Sequence, residues 1–153
     1  MDHTMILYVL AAVPLVVALL VLAWVDIRTG LLPDLITLPL AWLGLLINLD
    51  GLIAPLKDSV LGAVFGYMIL WTANQMFRRI AGQDGMGYGD FKMTAALGAW
   101  FGMSMLPWIV MGACITGLGA AFSRQRSAKN QPMPFGPCLS VAGVAAMIVV
   151  FSR

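Results

Sequence analysis

Long uncharged hydrophobic stretches make up most of the chain, and short segments between them hold nearly all of its charged residues. The first stretch covers residues 4–25, about 22 residues, and a helix of that length crosses a hydrocarbon core about 30 Å thick. Further uncharged stretches cover residues 35–49, 59–77, 93–123 and 133–151. The pattern predicts an all-α, polytopic integral membrane protein.

The stretch 93–123 is too long for one membrane helix, because its roughly 31 residues would form a helix about 46 Å long. We expect a break near residues 102–107 that leaves a short helix followed by a full one. The prediction is therefore about six transmembrane helices in a single membrane-embedded domain over residues 1–153. Within 59–77, Gly62 and Gly66 have the spacing that lets two helix backbones approach closely.

The first hydrophobic stretch has a second interpretation as a cleaved signal peptide. No Lys or Arg precedes it, however, and no A-x-A cleavage site lies before Asp26. We therefore expect this stretch to remain in the protein as its first transmembrane helix.

The basic residues predict the orientation, because Lys and Arg collect in short cytoplasmic loops. With about six helices, only Lys57 and Arg153 fall on one side. The opposite, cytoplasmic side then holds Arg28, Arg78, Arg79, Lys92, Arg124, Arg126 and Lys129. A single helix over 93–123 would divide the nine basic residues five against four and indicate almost nothing. We expect both termini outside the cytoplasm.

Composition agrees with a membrane protein and excludes a nucleic-acid partner. The chain is 61% hydrophobic and 10% charged, with a mean hydropathy of +0.91, whereas soluble domains are roughly 45–50% apolar and 25% charged. The net charge of +2 forms no basic face for nucleic acid. Cys114 and Cys138 lack a CxxC pattern, so we expect two small buried side chains and no zinc or redox site.

All seven acidic residues are Asp. Four of them, Asp26, Asp34, Asp84 and Asp90, fall on the predicted cytoplasmic side. Asp26 follows the first hydrophobic stretch and Asp90 precedes the fourth, so both lie at the membrane boundary. Ionisable groups at such positions are costly unless they face protein or water, which makes them candidates for function.

Asp90 ends a glycine-rich segment, G-M-G-Y-G-D at positions 85–90. Glycine permits unusual backbone angles and the close approach of another backbone. The alternative is a flexible loop in which Asp90 is the N-cap of the next helix, a position that Asp favours. Spacing alone favours this alternative, because isolated glycine patterns are weak signals.

The sequence G-Y-G-D-F-K at 87–92 resembles the G-x-G-D signature of the type IV prepilin peptidases, which are membrane aspartyl proteases. The similarity extends to D-I-R-T-G-L-L-P-D at 26–34 and to P-F-G-P at 134–137, and covers nearly the whole chain. The resemblance implies that Asp26 and Asp90 are the catalytic pair. Its motifs also include Gly87, Gly89, Lys92 and Asp34. For Asp34 we favour a helix cap before Leu35.

The resemblance implies peptide hydrolysis by water, without a metal or other cofactor. One carboxylate takes a proton from water while a protonated partner donates one, and two neighbouring carboxyl groups share a single proton because of like-charge repulsion. Asp90 lies at a predicted helix N-terminus, where the dipole favours a carboxylate, and Asp26 at a C-terminus. We hypothesise that Asp90 is the base and Asp26 the acid.

The implied substrate is a prepilin or pseudopilin, cleaved at the cytoplasmic face of the bacterial inner membrane in a pilus or secretion system. Many family members also have an N-terminal region with two CxxC pairs that is associated with methylation. This sequence lacks that region, so we expect a peptidase without methyltransferase activity, whose partners are the precursor and the lipid bilayer. The alternatives are a preflagellin-type G-x-G-D peptidase and a noncatalytic membrane assembly component.

Overall fold

The computed structural model describes residues 3–124 and 135–152 of the chain. These residues form the α-helices α1 (His3–Thr29), α2 (Asp34–Ile47), α3 (Leu56–Ala81), α4 (Tyr88–Arg124) and α5 (Gly136–Phe151). A short 3-10 helix, Asn48–Asp50, follows α2, and the described residues contain no β-strand. The all-α prediction is confirmed for these residues, whereas Arg126 and Lys129 of the predicted cytoplasmic set lie outside them.

Three stretches are long and apolar enough to cross a membrane: Ile6–Thr29, Leu56–Ala81 and Tyr88–Phe122. Each coincides with a stretch that the sequence predicts to be transmembrane. The remaining helices are shorter, since α2 has 14 residues and α5 has 16. The structure is thus that of a membrane protein, and the number of about six transmembrane helices stays a prediction.

The distribution of side chains also fits a membrane. Large apolar side chains such as Leu20, Ile69 and Leu118 are exposed along the helices, which would be unfavourable over so large an area in water. Polar side chains are buried instead: Asp26, Thr37, Asn48, Ser59, Asn74, Asp90, Thr94 and Ser140. The interior therefore holds the polar groups that hydrocarbon cannot solvate.

Helix α4 reverses its course at Gly102, which has φ 76° and ψ 173° within an otherwise helical segment. Asp90, near the start of α4, and Ala121, near its end, consequently line the same cavity. The predicted break near residues 102–107 is confirmed and lies at Gly102. Pro107 lies inside the second helical segment.

Asn48 stabilises the reversal from inside the protein. Carbonyl groups at the end of a helical segment have no helical N–H partner. The side-chain amide of Asn48 donates to the carbonyl oxygens of Ala99 at 3.1 Å and Trp100 at 2.8 Å. Its Oδ1 atom accepts hydrogen bonds from the backbone N–H groups of Ile53 and Ala54, both at 3.0 Å. One buried side chain therefore joins α4 to the connection between α2 and α3.

Glycines allow α3 and the first segment of α4 to pack at backbone contact. A Cβ atom on Gly62 would overlap with the carbonyl oxygen of Gly98, and the reverse holds for Gly98. A Cβ atom on Gly66 would lie 2.9 Å from the carbonyl oxygen of Thr94. The close approach predicted for Gly62 and Gly66 is confirmed.

Gly102→Ala tests the reversal. The backbone angles of Gly102 are accessible essentially only to glycine, and a Cβ atom there would lie 3.1 Å from the Cβ atom of Ala54. We expect the substitution to lower the free energy of unfolding by about 1–3 kcal/mol, measured as a lower thermal midpoint in detergent. Gly112→Ala is the control, because its Cβ atom would make an ordinary 3.6 Å contact with Ala142. Equal midpoints for the two variants would contradict this account.

Candidate active site

Asp26 lies in the last turn of α1, as the sequence predicts, and is only 4% exposed. Its Oδ2 atom accepts a hydrogen bond of 2.9 Å from the backbone N–H of Gly136. Gly136 is the first residue of α5, and the first N–H groups of a helix have no partner within the helix. The start of α5 therefore holds the Asp26 carboxyl group.

Space limits the residue at position 136. A Cβ atom there would lie 2.6 Å from the Oδ2 atom of Asp26. Only glycine lets the α5 backbone come close enough to donate this hydrogen bond without moving the carboxyl group. The sequence motif at 134–137 marked this segment but did not indicate its contact with Asp26.

Asp90 is the third residue of α4 and is 8% exposed. Gly87 lies against the Asp90 carboxyl group, since a Cβ atom on Gly87 would lie 3.6 Å from Oδ2 of Asp90, and the Asp90 N–H donates to the Gly87 carbonyl oxygen at 3.1 Å. The interpretation of Asp90 as an N-cap is wrong, because the helix begins two residues earlier at Tyr88. Its side chain lies beside Gly87, the residue before the helix.

Asp26 and Asp90 line one cavity of about 680 Å³. Their carboxyl groups are close enough to interact electrostatically. The end of α1, the loop before α4 and residues 114–121 of α4 form the walls, together with Phe135. Packing therefore brings together the two aspartates that the sequence singled out.

The glycines before Asp90 serve close packing. Gly85, Gly87 and Gly89 have no positive φ, and in this region Gly82 has one, at 73°. The expectation of unusual backbone angles within the motif is therefore wrong. A Cβ atom on Gly89 would lie 2.7 Å from the Leu32 side chain, so this glycine lets α4 begin directly against the segment that follows α1.

Asp34 and Lys92 form an ion pair with each other. The Lys92 Nζ atom lies 2.6 Å from Oδ1 and 2.7 Å from Oδ2 of Asp34. Asp34 is the first residue of α2, its N-cap is Pro33, and no side chain caps that helix end. The favoured interpretation of Asp34 as a helix cap is therefore wrong. Its contact is with the first turns of α4, next to Asp90.

The two cysteines differ in their exposure. Cys138 is buried, as expected, whereas Cys114 is exposed and lines the cavity. The expectation for Cys114 is wrong because the second segment of α4 forms a cavity wall.

Across residues 3–124 and 135–152, no three His, Cys, Asp or Glu side chains group in a way that could hold a metal ion.

The fold and site define a helical membrane protein with two buried aspartates at one cavity. The family model described as the type IV leader peptidase family matches residues 13–122. The chain belongs to this family.

Three relatives illustrate the similarity, and each is named a prepilin leader peptidase/N-methyltransferase. The proteins of Stutzerimonas stutzeri and Pseudomonas aeruginosa are 45% and 46% identical to the chain, over 85% of its length and 46% of theirs. The Neisseria gonorrhoeae protein is 49% identical over 82% of the chain and 43% of its own length. The chain spans about half the length of these curated relatives. No solved structure shows a significant match to the chain.

Gly136→Ala tests how Asp26 is held. The added Cβ atom would lie 2.6 Å from Oδ2 of Asp26 and must displace the carboxyl group. Misplacing a reacting group by about 1 Å can cost about 10²-fold in rate, so we expect a loss of that order in any peptide hydrolysis that depends on Asp26. Gly112→Ala, which touches neither aspartate, is the control. Full activity in a folded Gly136→Ala protein would show that the position of Asp26 does not depend on α5.

Proposed function

We propose that this chain is an aspartic endopeptidase of the bacterial inner membrane that removes leader peptides from prepilins or pseudopilins. The observation that carries the proposal is the shared cavity of Asp26 and Asp90 in a member of the type IV leader peptidase family. The relatives named as prepilin leader peptidases support the choice of substrate.

The reaction needs one ionised and one protonated aspartate. The carboxylate takes a proton from a water molecule, whose oxygen attacks the carbonyl carbon of the scissile peptide bond. The carboxylic acid donates its proton toward the carbonyl oxygen. When the tetrahedral intermediate collapses, the C–N bond breaks and the leaving amine receives the proton that the base took from water. The other aspartate recovers its proton from the hydroxyl group that becomes the new carbonyl. We assign the role of the base to Asp90 and that of the acid to Asp26.

Basic residues support a cytoplasmic position of the cavity. Arg28 lies in the last turn of α1, and Arg78 and Arg79 lie in the last turn of α3. Lys92 lies in the first turns of α4. The end of α1, the start of α4 and the loop that follows α3 line the cavity. Basic residues concentrate on the cytoplasmic side of a membrane. A leader peptide in the cytoplasm would reach the aspartates there while the apolar helix of its precursor stays in the membrane.

Asp26→Asn and Asp90→Asn are each expected to reduce cleavage of a co-expressed, tagged prepilin by about 10²–10⁴-fold, the contribution typical of a general acid or base. Asp34→Asn is the matched control. It breaks a partly exposed ion pair, which is worth about 0–1 kcal/mol, so cleavage should stay within several-fold of the unsubstituted protein.

The outcomes separate the alternatives. Cleavage that survives either substitution in the pair would remove that aspartate from the mechanism. Cleavage of a preflagellin and of no prepilin would reassign the substrate. Biological function retained by both Asn variants would favour a noncatalytic assembly component.

The proposed orientation predicts the side of the membrane from which a reagent can reach the exposed thiol of Cys114. A membrane-impermeant maleimide should label Cys114 in inside-out vesicles and leave it unlabelled in spheroplasts. Asp50→Cys, placed beyond the other end of α2 in a Cys114→Ala background, should show the opposite pattern. Labelling of Cys114 in spheroplasts would place the cavity on the outer face and contradict the proposed orientation.

A further inference from the structure

Asn74 lies in α3 and is 5% exposed. Its side chain forms three hydrogen bonds with the loop that joins α3 to α4. Oδ1 accepts from the backbone N–H groups of Gly85 at 2.9 Å and Met86 at 3.1 Å, and Nδ2 donates to Oδ1 of Asp84 at 3.2 Å. A single buried side chain of α3 therefore binds this loop at three points.

The bound loop leads directly to the candidate catalytic pair. Residues 84–87 line the same cavity as the aspartates. Gly87, the residue after Met86, lies beside the Asp90 carboxyl group and accepts a hydrogen bond from the Asp90 N–H. A shift of the loop at Gly85 and Met86 would therefore move the residue that packs against Asp90.

Other contacts hold this loop less firmly. The backbone N–H of Gly82 donates to the carbonyl oxygen of Arg78 and ends α3. Arg78 and Asp84 lie 3.8 Å apart with about half of each side chain exposed, and such ion pairs contribute little. The buried Asn74 amide is the interior contact that can determine the loop conformation, because its oxygen uses both acceptor sites on the backbone.

We propose that Asn74 is a positioning residue, which holds the loop 84–87 so that Gly87 keeps Asp90 in place beside Asp26 in the cavity. This inference rests on the proposed peptidase function. Asn74 itself does not touch the reacting atoms. It acts through the loop.

An exchange of the two interacting side chains tests the proposal. In Asn74→Asp, two carboxylates face each other where the amide and carboxylate now lie 3.2 Å apart. In Asp84→Asn, the Asn74 amide still has an oxygen to which it can donate. The double variant Asn74→Asp/Asp84→Asn restores the hydrogen bond with its direction reversed. Asn74→Leu removes all three hydrogen bonds, and Gln75→Leu, at the next position of α3, is the matched control.

Leader cleavage provides the first measurement. We expect Asn74→Asp to lower kcat by about 10- to 100-fold, within the range for small misplacements of a reacting group, with little change in KM. Gln75→Leu should cleave as the unsubstituted protein does, and Asp84→Asn, which keeps an acceptor for the Asn74 amide, should lose less kcat than Asn74→Asp. The double variant should recover kcat, whereas Asp84→Asn should not rescue Asn74→Leu. A folded double variant that stays as slow as Asn74→Asp would overturn the proposal.

Amide hydrogen exchange of purified protein in detergent provides a measurement that does not depend on cleavage. Exchange at Gly85 and Met86 should be faster in Asn74→Leu than in the unsubstituted protein and unchanged in Gln75→Leu. Unchanged exchange in Asn74→Leu would refute the role of Asn74 in holding the loop. If exchange changes as expected but the unsubstituted protein cleaves no leader, the proposed function is refuted. The role of Asn74 in holding this loop is then still supported.

Discussion

Hydrocarbon offers no hydrogen bonds, so every polar group at membrane depth must find its partner inside the protein. Among the residues that the structure describes, no buried side-chain nitrogen or oxygen atom lacks a hydrogen-bond partner. Asn48 and Asn74 show what this constraint produces, because each buried amide binds backbone groups that regular helices leave unpaired. The irregular parts of the chain can therefore lie within an apolar surrounding, and the candidate site is built from these parts.

The reversal of α4 depends on this constraint and in turn determines the cavity. A break at Gly102 leaves carbonyl groups without helical partners, and Asn48 binds those of Ala99 and Trp100. Because the chain turns back there, residues 114–121 return to the end of the protein where α4 begins and Asp90 lies. One helical stretch thus supplies both an aspartate and the opposite wall of its cavity.

Helix positions were predictable from the sequence because hydrophobic length alone determines them. The excess length of 93–123 likewise indicated the break at Gly102, and the helix ends together with the motif resemblance singled out Asp26 and Asp90. The partners of individual side chains were not predictable. Helices that are apolar on all sides carry little information about which face turns inward. The exposure of Cys114, the pairing of Asp34 with Lys92 and the contacts of Asn48 all depend on that rotation.

Backbone, rather than charged side chains, lies against the two carboxyl groups. The N–H of Gly136 binds Asp26 at the start of α5, and Gly87 packs against Asp90 just before α4. A Lys or Arg in either place would form an ion pair and favour two ionised carboxylates. A backbone N–H group satisfies a carboxyl oxygen without adding a full positive charge, which suits the shared proton of the proposed mechanism. The lysine nearest in sequence to the site, Lys92, binds Asp34 instead. Its positive charge is therefore paired with a carboxylate other than the two that the proposed hydrolysis requires.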